Sequence, residues 1–384
     1  MNKKSNQRRY DLDWLRVFAI LFVFIYHSSR FFNLEDWHVK NISTYFGVEV
    51  WNTFASSWLM PLIFVISGAS LFYAMGKVSI GTIGKFIKDK VLRLFVPLMV
   101  GAFTHASLQV YLERLTHGQF TGSYFEFIPH YFEGIYGFGG NFNIVGMHLW
   151  YLGVLFVFSI VFLPLFLGLK SKIGARLLGR FTDFLAVPGL IYLFAMLILL
   201  SWKLIDPDSL LGFDKFGWNL GVYISFFLSG FVFFSSEKLQ HSIQKLRWLS
   251  LVGLITFTVL LILGQSHRDL IAWFFILAFL GFGTKQLNIS TPLLKYANEA
   301  VLPFYILHQT VLLCVGYYVV QWNIPDLLKW LLIVPIAFAI IMGLYEYLVR
   351  RNNVMRFLFG MKPLVKPLVS PAIEAQITRA TRTT

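Results

Sequence analysis

Ten apolar runs, most of them close to twenty residues long, recur along this chain and constrain its fold more than any other feature. A bilayer core about 30 Å thick is spanned by about 20 residues of helix, and lipid offers the backbone no hydrogen-bond partner, so such runs cross as helices. They lie near 14–33, 54–75, 92–112, 147–168, 184–202, 218–235, 249–264, 269–284, 300–320 and 327–349. The seventh and eighth are the shortest and are joined only by Gln265-Ser266-His267-Arg268, so they read either as two spans or as a re-entrant pair. Charged residues make up 14% of the chain, against roughly 25% in soluble domains. The expected fold is an all-α integral membrane protein, a bundle of about ten transmembrane helices.

The formal net charge of +14 suggests a nucleic-acid partner until the positions are considered. With the N-terminus placed in the cytoplasm, 26 of the 33 Lys and Arg residues fall on that side. Only Arg30, Lys40, Arg114, Lys203, Lys215, Arg268 and Lys329 fall on the other. That bias is the positive-inside pattern, so the charge encodes topology, with an even number of spans and both termini cytoplasmic, and no nucleic acid is expected. Lys3, Lys4, Arg8 and Arg9 precede a first run with no small-x-small cleavage site, which reads as an uncleaved span. Cys314, the single cysteine, excludes an internal disulfide and a cysteine-rich metal site. Residues 1–349 read as the membrane domain. Residues 350–384, with Pro363, Pro367 and Pro371, read as a basic cytoplasmic tail against anionic headgroups.

The first span carries the most informative polar residues. Eleven residues separate Arg16 from His27, three helical turns plus about 20°, so the two share a face about 16 Å apart along the axis. Asp13 and Arg30 fall within about 60° of that stripe. Ionisable groups in lipid are costly and normally face a bundle interior, where they mark a site or path. The plainer alternative makes Arg16 an interfacial anchor and His27 a hydrogen-bonded core histidine. A second basic cluster, Lys85, Lys88, Lys90 and Arg93, adjoins the third span before Pro97. With Arg16, Lys90 and Arg93 supply donors for a phosphate-bearing ligand, whereas Lys85 and Lys88 read as plain topogenic charge.

Ser67 and Gly68 interrupt the second span, where small residues let helices or a ligand approach closely. His148-Leu149-Trp150-Tyr151-Leu152 opens the fourth span, and Tyr305-Ile306-Leu307-His308-Gln309 lies within the ninth. His105 reads as structural. The long outer loop, about 113–146, carries Glu113, His117, Glu126, His130, Glu133 and a glycine-rich stretch, which suits a sugar-like ligand or an ordinary aromatic interface. No serine or cysteine nucleophile motif, HExxH or i,i+4 histidine pair occurs, and no metal is expected. Histidine acts as a base near neutral pH with little tuning, so His27 is the candidate general base toward a hydroxyl, and a thioester partner would make the reaction acyl transfer.

Leu12-Asp13-Trp14-Leu15-Arg16 followed by His27 resembles the first-helix signature of membrane acyltransferase family 3. Phe64-Val65-Ile66-Ser67-Gly68, the run to Arg93-Leu94-Phe95-Val96-Pro97, His148 to Leu152 and Tyr305 to His308 are similar to later motifs of that family in the same order. Tyr345-Glu346, Phe357 to Gly360 and Lys362 to Lys366 resemble more narrowly its branch that succinylates periplasmic glucans. The resemblance implies a ten-span O-acyltransferase of the inner membrane, with acyl-CoA as co-substrate, no permanently bound cofactor, and an extracytoplasmic glycan as acceptor. It implies His27 as the essential histidine and Arg16 and Arg93 as the essential arginines; a cavity shaped by Asp13, Ser67, Gly68, His148, Trp150 and His308 is expected beside them. The doubled arginine of the family stands here as Lys88-Asp89-Lys90 before Arg93. A different class, a transporter or flippase for a glycan or organic anion, would line a path with the same stripe and would call for inverted repeats, of which the sequence shows none.

Overall fold

A computed structural model of the chain describes residues 8–206, 209 and 219–364. The first residue of the sixth expected span, Lys3, Lys4, Lys215 and the tail beyond Leu364 lie outside those residues. The described residues are helical throughout, apart from loops and two isolated β-bridges in the glycine-rich stretch, Ile135 to Phe142 and Tyr136 to Gly140.

The order begins with α1 (Tyr10–Ser29) and α2 (Phe46–Met75), then α3 (Ile83–Lys90), a π turn at Val91–Phe95, α4 (Val96–Phe103) and α5 (His105–Thr116). After α6 (Tyr124–Tyr131) come α7 (Trp150–Val161), α8 (Leu163–Lys170), α9 (Lys172–Leu185) and α10 (Met196–Leu204). The remainder is α11 (Leu220–Phe234), α12 (Glu237–Ile262), α13 (Arg268–Gln286), α14 (Pro292–Val319), α15 (Asp326–Gly343), a π turn at Leu344–Val349 and α16 (Asn353–Leu358).

Each expected apolar run falls on helix, but not each on one straight helix. Six segments are long and apolar enough to cross a membrane: α1, α2, α12, α13, α14 and Asp326–Val349. Three more qualify only as bent pairs, so the described residues hold six to nine such spans. α11, with 15 residues, is a shorter apolar helix. Ile80–Phe103 meets α5 at 42°, and Met147–Val161 meets α8 at 46°. Pro164 explains the second bend: it has no N–H for the carbonyl of Ile160, and its ring crowds that carbonyl. The fifth run is turned furthest, with 112° between α9 and Leu190–Leu204. α9 has one apolar stripe, Ile173, Leu177, Phe181 and Phe184, all exposed, beside a basic stripe of Lys172, Arg176 and Arg180. Those stripes suit a helix that lies along a membrane surface.

The seventh and eighth runs follow the two-span alternative. They form two full-length helices, α12 of 26 residues and α13 of 19, not a re-entrant pair. α12 begins twelve residues before the apolar run because Glu237, Lys238, Lys245 and Arg247 continue the helix where hydropathy falls away.

α2 is the central element, buried along most of its length. Gly68 and Gly230 set its crossing with α11. A Cβ on Gly68 would lie 1.9 Å from the Phe227 carbonyl oxygen, and one on Gly230 would lie 2.0 Å from that of Val65. Opposite this crossing, Trp58 stacks on Phe275 with ring centroids 3.7 Å apart.

Contacts between distant segments sort the chain into two ends. At the basic end Arg9 bonds Tyr73 and Gln240, Trp14 bonds the Ile289 carbonyl, and Lys170 bonds those of Met75 and Val78. Lys238 pairs there with Asp183, and Arg356 of α16 pairs with Glu299, so the first residues after 349 pack onto the bundle. At the opposite end Tyr45 bonds Asp326, Lys329 bonds Asn41, and Arg268 bonds Ser56.

Candidate active site

α1 forms readily: no glycine or proline lies within it, and Asp11 and Asp13 in its first turn complement the helix dipole. Its polar stripe faces the interior between α2 and α14. At the basic end the Arg16 guanidinium donates to Ser70 Oγ at 2.7 Å and to Asn298 Oδ1 at 3.5 Å. Asp13 stands 3.5 Å from the same guanidinium and accepts from Arg8 at 2.9 Å, so it belongs to this end and not to the surroundings of His27.

Lys90 and Arg93 come to Arg16 from the start of the third span, close enough that the three charges act on one another. Arg93 sits in the π turn, the kind of helical irregularity that often marks functional sites. The Lys90 ammonium lies over the Phe86 ring at 5.3 Å. Among the described residues neither Lys90 nor Arg93 makes a side-chain hydrogen bond or a close ion pair. Three gathered cations, two of them without a close ion pair and only Asp89 acting on Arg93 as a counter-charge, are a candidate anion site.

About three turns along α1, His27 enters a cluster of four histidines drawn from separate segments. Its ring centroid lies 5.2 Å from that of His308, which lies 4.7 Å from His148, which lies 6.3 Å from His105. The rings do not converge on one point, and among the described residues no group of three His, Cys, Asp or Glu is placed to hold a metal. Hydrogen bonds assign two tautomers. His148 Nε2 donates to the carbonyls of Tyr305 and Ile306 at 3.0 and 3.1 Å, and its Nδ1 faces the Gln109 amide at 3.5 Å. His308 Nδ1 donates to the Tyr305 carbonyl at 2.6 Å, which leaves its Nε2 a bare lone pair.

Four polar atoms in this cluster are buried without a partner: His27 Nδ1, His308 Nε2, His105 Nε2 and Gln309 Oε1. Such atoms cost free energy unless a partner arrives, so this row of histidines has unfilled capacity for a polar group. His27 itself is half-buried, with Nδ1 enclosed, so Nε2 is the nitrogen left to meet a hydroxyl.

The remaining expected residues spread out. Ser67 Oγ bonds the Tyr151 hydroxyl at 2.5 Å. Gly68 serves the crossing with α11. Trp150 packs on Phe64 and Tyr223, away from the histidines. The structure also brings in residues that sequence reasoning passed over. Gln109 joins Thr310 and Gln309 to the cluster, Trp37 stacks on His27 at 6.0 Å, and His38 meets Gln309 at 3.2 Å and Glu113 on its other side. A larger apolar cavity of about 640 Å³ is lined by Ile25, Ser29, Phe32, Trp51 and Trp330. Ile25 and Ser29 stand about 160° around α1 from His27, so that cavity is on the wrong face for the chemistry.

Residues 9–346 match a family described as an acyltransferase domain. The chain is 22% identical to the glucans biosynthesis protein C of Salmonella paratyphi A and to that of Salmonella agona, over 95% of this chain and 98% of each relative. It is 21% identical to the protein of the same name from Salmonella schwarzengrund over the same shares. No solved structure matches significantly.

Proposed function

The chain belongs to the acyltransferase family that it matches from residue 9 to residue 346, and on that premise we propose a ten-span O-acyltransferase of the inner membrane. In this reading both termini are cytoplasmic, residues 1–349 form the catalytic membrane domain and 350–384 the basic tail. The enzyme moves a succinyl or acetyl group from cytoplasmic acyl-CoA to a hydroxyl of an extracytoplasmic glycan. The relatives' name points to a glucan as that acceptor.

One observation carries the reading. Arg16 and the unsatisfied His27 lie on one face of α1, about 16 Å apart, and Lys90 and Arg93 join Arg16 from the start of the third span. The donor's phosphates dock on the cations, and its thioester arm runs along α1 between α2 and α14 toward His27. The neutral His27 imidazole takes the proton of the glycan hydroxyl at Nε2 as the oxygen attacks the thioester carbonyl. Collapse of the tetrahedral intermediate breaks the C–S bond, and the departing CoA thiolate recovers the proton, which leaves the glycan ester and free CoA. His308 packs beside the His27 ring, with centroids 5.2 Å apart, and limits where that ring can turn. His148 braces the wall by holding the α14 carbonyls, and Ser67 with Tyr151 lines the path between the two ends.

The test offers labelled succinyl-CoA and acetyl-CoA separately to purified protein with a β-glucan. Product from one donor is expected, falling by about 100-fold or more in His27→Ala at unchanged melting temperature. Undiminished transfer by that variant would remove His27 from the mechanism.

A further inference from the structure

At the end of the bundle far from Arg16 a second, polar cavity of about 270 Å³ opens between three segments. The loop after α1 supplies Asp36, Trp37 and His38, the end of α5 supplies Glu113, Arg114, His117 and Gln119, and the glycine-rich stretch supplies Tyr136. It falls just below the usual range of about 300–1,000 Å³ for small-molecule pockets, so it has room for one ring and little more.

Its charges are matched internally. Asp36 pairs with His117 at 3.2 Å. Glu113 accepts from His38, from the Tyr136 hydroxyl at 2.9 Å and from Arg114 at 3.4 Å. No spare cation waits for a phosphate and no spare carboxylate for an ammonium. What remains is a polar lining without a spare charge and one indole wall, Trp37, which suits an uncharged polyol with an apolar face.

The cavity also connects to the chemistry. Trp37, one of its walls, stacks on His27 with centroids 6.0 Å apart and planes 17° apart. His38, another wall, meets the Gln309 amide nitrogen at 3.2 Å, and Gln309 bonds Gln109 beside His148. A ring held here sits one indole away from the base, too far to react itself and near enough for its neighbour to do so.

We infer that this cavity is a subsite for an uncharged sugar unit adjacent to the one acylated, with Trp37 as the wall that separates the held unit from the reacting one. The inference rests on the glycan-acceptor reading above. It makes the enzyme one for oligomeric acceptors: a free monosaccharide fills either the subsite or the reacting position, not both at once.

The test measures binding apart from turnover, with full-length protein in nanodiscs and a linear β-glucan tetrasaccharide as probe. His27→Ala is expected to bind the tetrasaccharide like the parent. Gln119→Trp, which fills the cavity from an exposed rim position, is expected to weaken binding about tenfold or more, as is Asp36→Ala, while CoA affinity reports that both variants are folded. Glucose is expected to be a poor acceptor beside the tetrasaccharide. Transfer to the tetrasaccharide with binding untouched by Gln119→Trp and Asp36→Ala would overturn the subsite alone. Neither binding of nor transfer to any glucan would overturn the glycan reading and the subsite with it.

Discussion

His117 and Asp36 close the rim of the polar cavity, and their titration makes that rim pH-dependent. Burial pulls the His117 imidazole down, but its bonds to the Glu113 carbonyl at 2.7 Å and to the Asp36 carboxylate raise it above its ordinary 6.5. Asp36 is pushed up by burial and, more strongly in sum, down by His117 and the Trp37 amide, ending below its ordinary 3.8. Both nitrogens of the imidazolium donate, so a bond is lost when either proton leaves. A raised imidazole stabilises the rim below its unfolded value and loses that contribution as pH rises through the folded one. The depressed carboxylate contributes above its own unfolded value and loses this as pH falls. Amide protection over residues 34–40, corrected for intrinsic exchange, is therefore expected to fall as pH rises above the ordinary imidazole value of 6.5 and to stay flat in His117→Gln. At this scale the sequence carried part of the site. Arg16 and His27 were legible as a pair because helical periodicity alone puts them on one face. Trp37, His38 and Gln109 were not, because only tertiary contact gathers them: Trp37 stacks on His27 directly, and Gln309 joins His38 to Gln109.

Helices show where hydropathy informs and where it stops. Apolar length located all the runs, since lipid and core make the same demand on them. It missed that charged residues at helix ends stay helical, which is why α12 begins at Glu237. It also missed the bends, because the apolar character continues through Thr104 and Pro164 while the hydrogen-bond ladder breaks. The crossing of α2 and α11 gives a direct test at this scale. Gly230→Val puts methyl groups where a Cβ alone meets the Val65 carbonyl at 2.0 Å, and is expected to cost at least about 2 kcal/mol, read as a lower melting temperature in detergent. Gly343→Ala, with nothing within 4 Å of the added Cβ, is expected to leave it unchanged or raise it slightly. Equal losses in the two variants would contradict the close crossing.

Across the whole molecule, the contacts that gather Arg9, Lys170, Lys238 and Arg356 at one end repeat the sorting of charge found in the sequence. A transporter would spend that polarity on a path open in turn to both faces. Here the stripe on α1 instead ends in two unlike sites, a cation cluster and a histidine cluster, and the family match is to acyltransferases. The separation of donor and acceptor across the bilayer is the central claim, and proteoliposomes test it most directly. Labelled acyl-CoA is supplied outside, with β-glucan either sealed inside or added outside, for the parent and for His27→Ala. Labelled glucan is expected only when donor and acceptor lie on opposite sides, and only with His27 present. Product formed with both substrates on the same side, and none across the membrane, would contradict it.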